Sequence, residues 1–140
     1  RHTRKNIVVR DEHRSIVFLS PTVAGHQHDY TLFKESDFPD HLPQEVCCWV
    51  DLAFQGMATA YPHLNVDMPD KKSRGGELTD EQKARNFLKA SMRVVVEHAI
   101  GGLKRLNCMA HIYRNRSEQL ADQFMVVACG LWNYHLKLAA

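Results

Sequence analysis

The chain has 140 residues, of which 44% are hydrophobic and 24% are charged, and its formal net charge at pH 7 is +2. These values are those of a soluble globular protein, and the length suits one domain with a sizeable core. No run of roughly 18 apolar residues is present, so no membrane-spanning helix is implied, and we expect no membrane partner.

The first third of the chain predicts a β-hairpin followed by a helix. Residues 6–10 and 15–20 are rich in β-branched side chains, and the polar residues 11–14 between them suit a turn. A helix is expected over residues 29–36. Asp29 is its expected N-cap, because a side-chain oxygen there accepts hydrogen bonds from the first free backbone N–H groups.

The middle of the chain predicts a buried strand. Residues 46–50 form a continuous apolar run that ends at Asp51. Such a run is typical of a strand buried on both faces in the centre of a sheet. Residues 64–66 predict another short strand, and Trp49 and Trp132 are expected in the core.

The cysteines give no sign of a metal site. Cys47, Cys48, Cys108 and Cys129 form neither a C-x-x-C pair nor a zinc spacing. Because two of them are adjacent within an apolar run, we expect buried free thiols in a reducing compartment.

The second half of the chain predicts a loop and two long helices. Residues 71–76 form a basic, glycine-rich loop. Thr79 and Gln82 have the spacing of a capping box, which predicts the start of a helix that continues to about Leu106. Apolar residues at helical spacing predict a last helix over residues 117–138. Together with the strands, these helices predict a mixed α/β domain.

The first long helix carries an unusual charged stripe. Arg93, Glu97 and Lys104 form an R-x3-E-x6-K pattern and fall within about 40° of one another on a helical wheel. The opposite side of the helix is apolar and carries Leu88, Met92, Val95, Ala99, Leu103 and Leu106. We therefore expect one packing face and a separate charged face that suits a metal ion and a phosphate.

The basic residues are concentrated around this helix. Residues 71–105 contain nine lysines and arginines against four acidic residues. A local basic surface favours a polyanionic partner such as nucleic acid. A solvated helix face is the alternative, and charge alone does not decide between the two.

Asp51 and Glu97 are the two carboxylates that this pattern singles out. Asp51 follows a predicted strand, at the edge of a sheet where sites of open α/β folds form; capping is its simpler role. The simpler role of Glu97 is an ion pair with Arg93. Together the two would suit Mg²⁺ or Mn²⁺, which prefer carboxylate oxygens. Two such ions, shared by three carboxylates, activate water and stabilise the leaving oxygen in phosphodiester cleavage or strand transfer.

Asp29 is a candidate for the third carboxylate, although capping of the following helix is the simpler role. His26 and His28 are candidate metal ligands without a third partner in sequence. We therefore expect His28 and Asp29 to be structural, or to lie just outside the direct ligands of a metal.

Several motifs follow one another along nearly the whole chain. They are R-H-T-R-K at 1–5, G-H-Q-H-D at 25–29, V-D-L-A-F-Q-G at 50–56, G-G-E-L-T at 75–79, Asn86, R-x3-E-x6-K at 93–104, Y-R-N-R at 113–116 and Asn133. This ordered set resembles the DDE transposases of bacterial insertion sequences, in the group related to the PIF/Harbinger elements. The tyrosine that this family has three residues before the arginine is Ala90 here.

The resemblance implies a ribonuclease-H-like mixed sheet flanked by helices, with residues 1–140 as the C-terminal part of one catalytic domain. It implies that Asp51 is the second catalytic, metal-binding acid and Glu97 the third. The first acid belongs to a D-G-T-like motif that in the family lies upstream of the position of Arg1. We therefore expect the chain to lack the first strand and that acid.

The resemblance also assigns roles to the basic residues. Arg93 and Lys104 would orient phosphates or the carboxylate of Glu97. The remaining members of the expected DNA-binding set are Lys71, Lys72, Arg74 and Arg105. Such a set would follow the DNA backbone and give a salt-dependent affinity.

The implied function is that of a transposase core, which uses two Mg²⁺ or Mn²⁺ ions to cleave DNA at the element ends and to join the freed 3′ end to target DNA. Implied partners are both DNAs, a second copy in a homodimer and, where an element uses two reading frames, a second polypeptide carrying the first Asp. The location would be the cytoplasm at a bacterial nucleoid, or a eukaryotic nucleus. The alternative is a domesticated, non-catalytic module that binds DNA or protein, and we expect the isolated chain to be inactive in strand transfer.

Overall fold

The computed structural model of the chain describes residues 3–106 and 117–139. The strands in these ranges are β1 Arg4–Lys5, β2 Val8–Arg10, β3 Ile16–Leu19, β4 Val23–Ala24, β5 Cys47–Trp49 and β6 Asn65–Asp67. The helices there are α1 Asp29–Glu35, α2 Phe38–His41, α3 Met57–Ala60, α4 Asp80–Lys104 and α5 Glu118–Leu138, with a 3-10 turn at Leu52–Phe54. This combination of strands and helices confirms the predicted mixed α/β class.

The strands within the described ranges pair two by two. β1 pairs with β4 and β2 with β3, both antiparallel, whereas β5 and β6 are parallel. Cys47 lies opposite Asn65 in the parallel pair. The ribonuclease-H-like arrangement of the sheet stays a prediction.

The contacts of the chain divide it into two compact units. One unit consists of Arg1–Gln27 and Val94–Ala140, and the other of His28–Arg93. Helix α4 therefore contributes residues 80–93 to the second unit and its remaining turns to the first. None of the described helices is long and apolar enough to cross a membrane.

In the first unit, β2 and β3 form the predicted hairpin, with Val8 opposite Leu19. The turn is closed by a hydrogen bond from the Arg14 N–H to the Asp11 carbonyl, at 3.1 Å, and by one from the Asp11 N–H to the Ser15 carbonyl, at 3.0 Å. Arg14 has a φ of 69°, a left-handed conformation that occurs in tight turns.

The core of the first unit joins the hairpin to the two long helices. Ala99 of α4 and Ala128 of α5 are each only 1% exposed, and such small side chains allow close packing. The buried cluster consists of Ile16, Ala99, Leu103, Ala128 and Cys129, with Val8, Leu19, Leu106 and Trp132 packed against it.

Two neighbouring residues of α5 attach that helix to the backbone of the hairpin. The Asn133 Oδ1 accepts a hydrogen bond from the Ile16 N–H at 2.8 Å, and its Nδ2 donates to the Ile16 carbonyl at 2.9 Å. Because the N–H and C=O of one strand residue point to the same side, Asn133 occupies an edge of β3 that another strand would otherwise pair with. The Trp132 Nε1 donates to the Arg14 carbonyl at 2.9 Å.

In the second unit, aromatic rings form the centre of the core. Phe33 is 4% exposed and makes edge-to-face contacts with Phe38, Phe54 and Tyr61, at centroid distances of 6.2, 5.6 and 6.3 Å. Such contacts are favourable because the positive ring edge meets a negative ring face. Leu32, Pro39, Met57 and Leu64 of this unit are buried as well.

The prediction that Asp29 caps α1 is wrong by one residue. The N-cap is His28, whose side chain makes no capping hydrogen bond. The first helical hydrogen bond runs from the Leu32 N–H to the His28 carbonyl, at 3.0 Å, which makes Asp29 the first helical residue. A carboxylate in the first turn still interacts favourably with the helix dipole.

The prediction that residues 46–50 form a strand buried on both faces is also wrong. Cys47 and Trp49, which share one face of β5, are exposed, and Trp49 is 51% exposed. The expectation of buried thiols holds for Cys129 among the described cysteines, while Cys47 is exposed and Cys48 is half-buried. The apolar run did not predict burial because, within the described ranges, β5 pairs only with β6.

The predicted starts of both long helices are confirmed. The Thr79 Oγ1 accepts from the Gln82 N–H at 3.2 Å, and the Gln82 Oε1 accepts from the Thr79 N–H at 2.9 Å. This reciprocal pair is the capping box. Ser117 is the N-cap of α5, and its hydroxyl accepts from the Leu120 N–H.

Candidate functional site

Asp51 follows β5 and begins the 3-10 turn at Leu52–Phe54. Its Oδ1 accepts a hydrogen bond from the Leu52 N–H at 2.6 Å, so it has the capping role that the sequence suggested. Five residues later, Gly56 has a φ of 92°, which a residue without a Cβ adopts at little cost. The D-x-x-F-x-G motif is therefore a strand end followed by two tight turns.

The second carboxylate oxygen of Asp51 binds Arg93. The Asp51 Oδ2 lies 3.0 Å from the Arg93 Nη2, and the two side chains are 44% and 53% exposed. Arg93 thus pairs with Asp51, a residue distant in sequence. An ion pair this open to solvent contributes little stability but sets the position of both charged groups.

Two further ion pairs lie along the same helix. The Lys89 Nζ lies 2.5 Å from the Asp67 Oδ1 and also donates to the Met68 carbonyl at 2.7 Å. The Arg85 Nε lies 3.1 Å from the Asp70 Oδ2, and this hydrogen bond raises the pKa of the Arg85 guanidinium above its ordinary value. We call the three pairs of Arg85, Lys89 and Arg93 the ion-pair ladder; the three cations are spaced by four residues, which places them on one side of a helix.

Asn86 adds a contact with the backbone beside this ladder. Its Oδ1 accepts from the Asp70 N–H at 2.8 Å, and its Nδ2 donates to the Asp70 carbonyl at 3.0 Å. Both polar groups of the side chain therefore bind one backbone residue of the segment that follows β6.

The prediction that the apolar face of α4 is a packing face is correct only for the C-terminal turns of the helix. Ala99 and Leu103 are buried, but Leu88 is 66% exposed and Met92 is 42% exposed. The first turns contact their unit through the polar stripe of the ion-pair ladder. Helical periodicity alone cannot show which of two faces is covered, because partner residues from other segments decide it.

Glu97 lies one turn after Arg93 on α4 and is exposed. Among the residues that the structure describes, no cationic group lies within ion-pair distance of its carboxylate. The predicted DNA-contact residues Lys104 and Arg105, near the end of the same helix, are exposed as well.

The basic loop at residues 71–76 precedes α4. Lys71, Lys72 and Arg74 are all exposed, and the Lys71 Nζ donates to the Gln55 Oε1 at 2.8 Å. Gly75 has a φ of 82°, which allows the turn inside the loop. These three loop cations, which belong to the expected DNA-binding set, are therefore accessible from solvent.

The remaining predicted residues add no metal site to the described ranges. His26 and His28 are exposed and Asp29 is half-buried. No group of three or more His, Cys, Asp or Glu that could hold a metal ion occurs among residues 3–106 and 117–139. The motif at residues 113–116 lies outside the described residues.

The partners in the ion-pair ladder were not predicted from the sequence. Lys89, Asp67 and Asp70 were not singled out. The spacing of Arg85, Lys89 and Arg93 continues the R-x3-E pattern towards the N-terminus, and this signal was available in the sequence. The sequence did not show that aspartates are the partners, because those contacts depend on how β6 and α4 pack.

Comparison with known proteins gives the class to which this chain belongs. The family model of the DDE superfamily endonucleases matches residues 1–133, and the chain belongs to this family. The chain is also similar to the "Probable transposase for insertion sequence element IS702" of Microchaete diplosiphon, with 32% identity over 139 residues. That alignment covers 99% of this chain and 49% of the relative, so the chain spans about half the relative's length.

No solved structure matches the chain. The family and the relative confirm the resemblance to DDE transposases of the insertion-sequence type, whereas the link to PIF/Harbinger elements stays a prediction. Enzymes of this superfamily generally use divalent metal ions.

Proposed function

We propose that the chain is part of the catalytic core of a DNA transposase, which hydrolyses phosphodiester bonds at element ends and transfers the freed strand to target DNA. The family membership carries this proposal, and the motif resemblance assigns Asp51 and Glu97 to two of the family's acids. The ribonuclease-H-like fold and the homodimer are parts of the same proposal, as is a cytoplasmic location at the nucleoid.

Asp51 and Glu97 each have the chemistry of a divalent-metal ligand. The carboxylates of Asp51 and Glu97 are accessible to solvent, and they are the oxygen donors that Mg²⁺ and Mn²⁺ prefer. Since the described residues contain no group of three candidate ligands, the proposal assigns a further acid to a segment outside the described ranges or to a second polypeptide. When bound, a pair of such ions supplies an activated water and stabilises the leaving oxygen.

The proposal gives the basic residues the task of holding DNA. Lys71, Lys72 and Arg74 are exposed in one loop, and Lys104 and Arg105 are exposed near the end of α4. Lysine and arginine side chains that neutralise phosphates release counterions, which makes the affinity strongly dependent on salt. Arg93 is the exception, because its guanidinium already binds Asp51.

One observation favours the second candidate, a non-catalytic module that binds DNA or protein. Both carboxylate oxygens of Asp51 are engaged, one by the Leu52 N–H and one by Arg93. This is the arrangement of a structural aspartate. The two candidates differ in whether substitution of Asp51 abolishes a reaction or only changes stability.

The test begins with the codons upstream of Arg1. If they encode a D-G-T-like motif, in frame or in an overlapping frame, the product that includes it is incubated with duplex DNA carrying the element ends and Mn²⁺ or Mg²⁺. We expect metal-dependent release of a 3′-hydroxyl by this product, lost in Asp51→Asn and in Glu97→Gln. Glu81→Gln, an exposed position in the first turn of α4, is the matched control and should leave cleavage unchanged.

The 140-residue chain alone is expected to bind DNA without cleaving it. Metal-dependent nicking of end-containing DNA by this chain, abolished by Glu97→Gln, would show that no further acid is needed. Absence of any encoded D-G-T-like motif, together with unchanged DNA binding in Asp51→Asn, would support the non-catalytic module.

A further inference from the structure

The segment from Asp70 to Thr79 is attached to α4 at both ends. At its start, Asn86 binds the N–H and the C=O of Asp70. At its end, Thr79 and Gln82 form the capping box of the helix. The basic loop is therefore a closed loop whose ends both lie on the first two turns of α4.

We propose that Asn86 is a positioning residue for nucleic-acid binding: its carboxamide fixes the start of the basic loop on α4, so that Lys71, Lys72 and Arg74 meet a phosphate backbone as a pre-ordered group. This inference rests on the proposed DNA-binding function. It assigns no contact with DNA to Asn86 itself.

The geometry of Asn86 suits this role better than that of the neighbouring ion pair. Arg85 also binds Asp70, but through an exposed side chain whose ion pair is screened by solvent. Asn86 is half-buried, and its amide oxygen and nitrogen match the backbone acceptor and donor of one residue. Two hydrogen bonds to the same backbone unit fix an orientation as well as a distance.

The physical gain is pre-organisation. A loop whose ends are fixed samples fewer conformations, so less conformational entropy is lost when its side chains bind phosphates. The number of phosphate contacts does not change, because the cations themselves are unaltered. Loss of the attachment should therefore lower the affinity for DNA without changing its dependence on salt.

The experiment compares Asn86→Ala with Ser91→Ala in the 140-residue chain. Alanine favours a helix at both positions, and the hydroxyl of Ser91 donates to the Leu88 carbonyl within α4. Binding to a 20-base-pair duplex is measured over a series of salt concentrations. Amide hydrogen exchange is measured for residues 70–76 and, as a check of folding, for α4.

We expect the amides of residues 70–76 to exchange faster in Asn86→Ala than in Ser91→Ala. The Asn86→Ala chain should also bind DNA roughly five- to tenfold more weakly than Ser91→Ala at every salt concentration. The slope of log affinity against log salt should equal that of Ser91→Ala. By contrast, Lys72→Gln should reduce this slope by about 0.9, the value for one phosphate contact.

Two results would overturn the inference, and they are distinguishable. If Asn86→Ala exchanges faster but binds DNA as tightly as Ser91→Ala, the attachment is only structural and the proposed function is untouched. If the unsubstituted chain binds no DNA at low salt, the proposed function fails and the positioning role fails with it.

Discussion

The guanidinium of Arg93 holds the carboxylate of Asp51, with 3.0 Å between Nη2 and Oδ2. A divalent cation at this oxygen repels the guanidinium of Arg93 and competes with it for the carboxylate. The displaced guanidinium then becomes available to a phosphate, which it binds well through its planar donors. If Asp51 is a metal ligand, as we propose, metal and DNA should therefore each strengthen the binding of the other.

Arg93→Gln tests this coupling. In the unsubstituted chain, we expect duplex DNA to increase the affinity for Mn²⁺ by about fivefold or more, which is the usual lower range for coupled sites. In Arg93→Gln, Mn²⁺ should bind more tightly without DNA, and the effect of DNA should disappear. Calorimetric titration with and without duplex measures both. Arg85→Gln is the control, and coupling that persists in Arg93→Gln would contradict the exchange of partners.

Asn133→Ala should destabilise the first unit. It removes two hydrogen bonds to the backbone of Ile16, and the expected loss is about 1–3 kcal/mol in the free energy of unfolding. Urea unfolding followed by tryptophan fluorescence measures it. Gln119→Ala, at an exposed position of the same helix, should change the free energy by less than about 0.5 kcal/mol.

Two adjacent glycines of α4 should respond to alanine in opposite directions. A Cβ on Gly102 would overlap the ring of Trp132, whereas a Cβ on Gly101 would meet nothing within 4 Å. Gly101→Ala should stabilise the chain by about 0.5–1 kcal/mol through helix propensity. Gly102→Ala should destabilise it by about 1–3 kcal/mol, because the ring must move. Thermal unfolding of both variants is the measurement, and equal melting temperatures would contradict the packing.

Lys89→Met should cost more stability than Lys83→Met. Lys89 and its partner Asp67 are 18% and 31% exposed, so removal of the cation leaves a partly buried carboxylate at a cost of about 1 kcal/mol. Lys83 and Asp80 are 57% and 97% exposed, and an ion pair so open to water adds little. Chemical unfolding followed by tryptophan fluorescence compares the two variants. A larger effect at Lys83 would show that the ladder does not hold α4.

Cys129 should make the first unit less stable at high pH. Burial raises the pKa of its thiol above the ordinary value of 9.0, so the unfolded chain loses this proton first. The stability that the protonated thiol contributes is therefore complete below pH 9.0. It is lost as the pH rises through the raised folded-state pKa, at up to about 1.36 kcal/mol per pH unit. Between pH 8 and 10, the free energy of unfolding should fall less steeply in Cys129→Ala. Parallel curves would contradict the burial of the thiol.

Features set by neighbouring residues could be predicted from the sequence. The capping box of Thr79 and Gln82 depends on three-residue spacing, and the β2–β3 hairpin on two strand segments and their turn. The exposure of Trp49 and Leu88 could not be predicted in this way. An apolar run or an amphipathic helix shows which residues can be buried, but the segments that cover them come from elsewhere in the chain.

The candidate site likewise has features that the sequence predicted and a contact that it did not. The motifs located Asp51 at a strand end and Glu97 on a helix. They did not predict that Arg93 pairs with Asp51, since that contact depends on the packing of α4 against the segment after β5. Asn86 and Asn133 were recognised from the resemblance only, and the structure supplies the physical role of each.

Asn86 and Asn133 share a property that bears on how sequences in this family can vary. Each binds the main chain of its partner, and every residue except proline offers the same N–H and C=O groups. Position 16 can therefore change its side chain without loss of the contact with Asn133, and position 70 can do so without loss of the contact with Asn86. The two asparagines themselves have no such latitude, because no other side chain of that length presents a donor and an acceptor side by side.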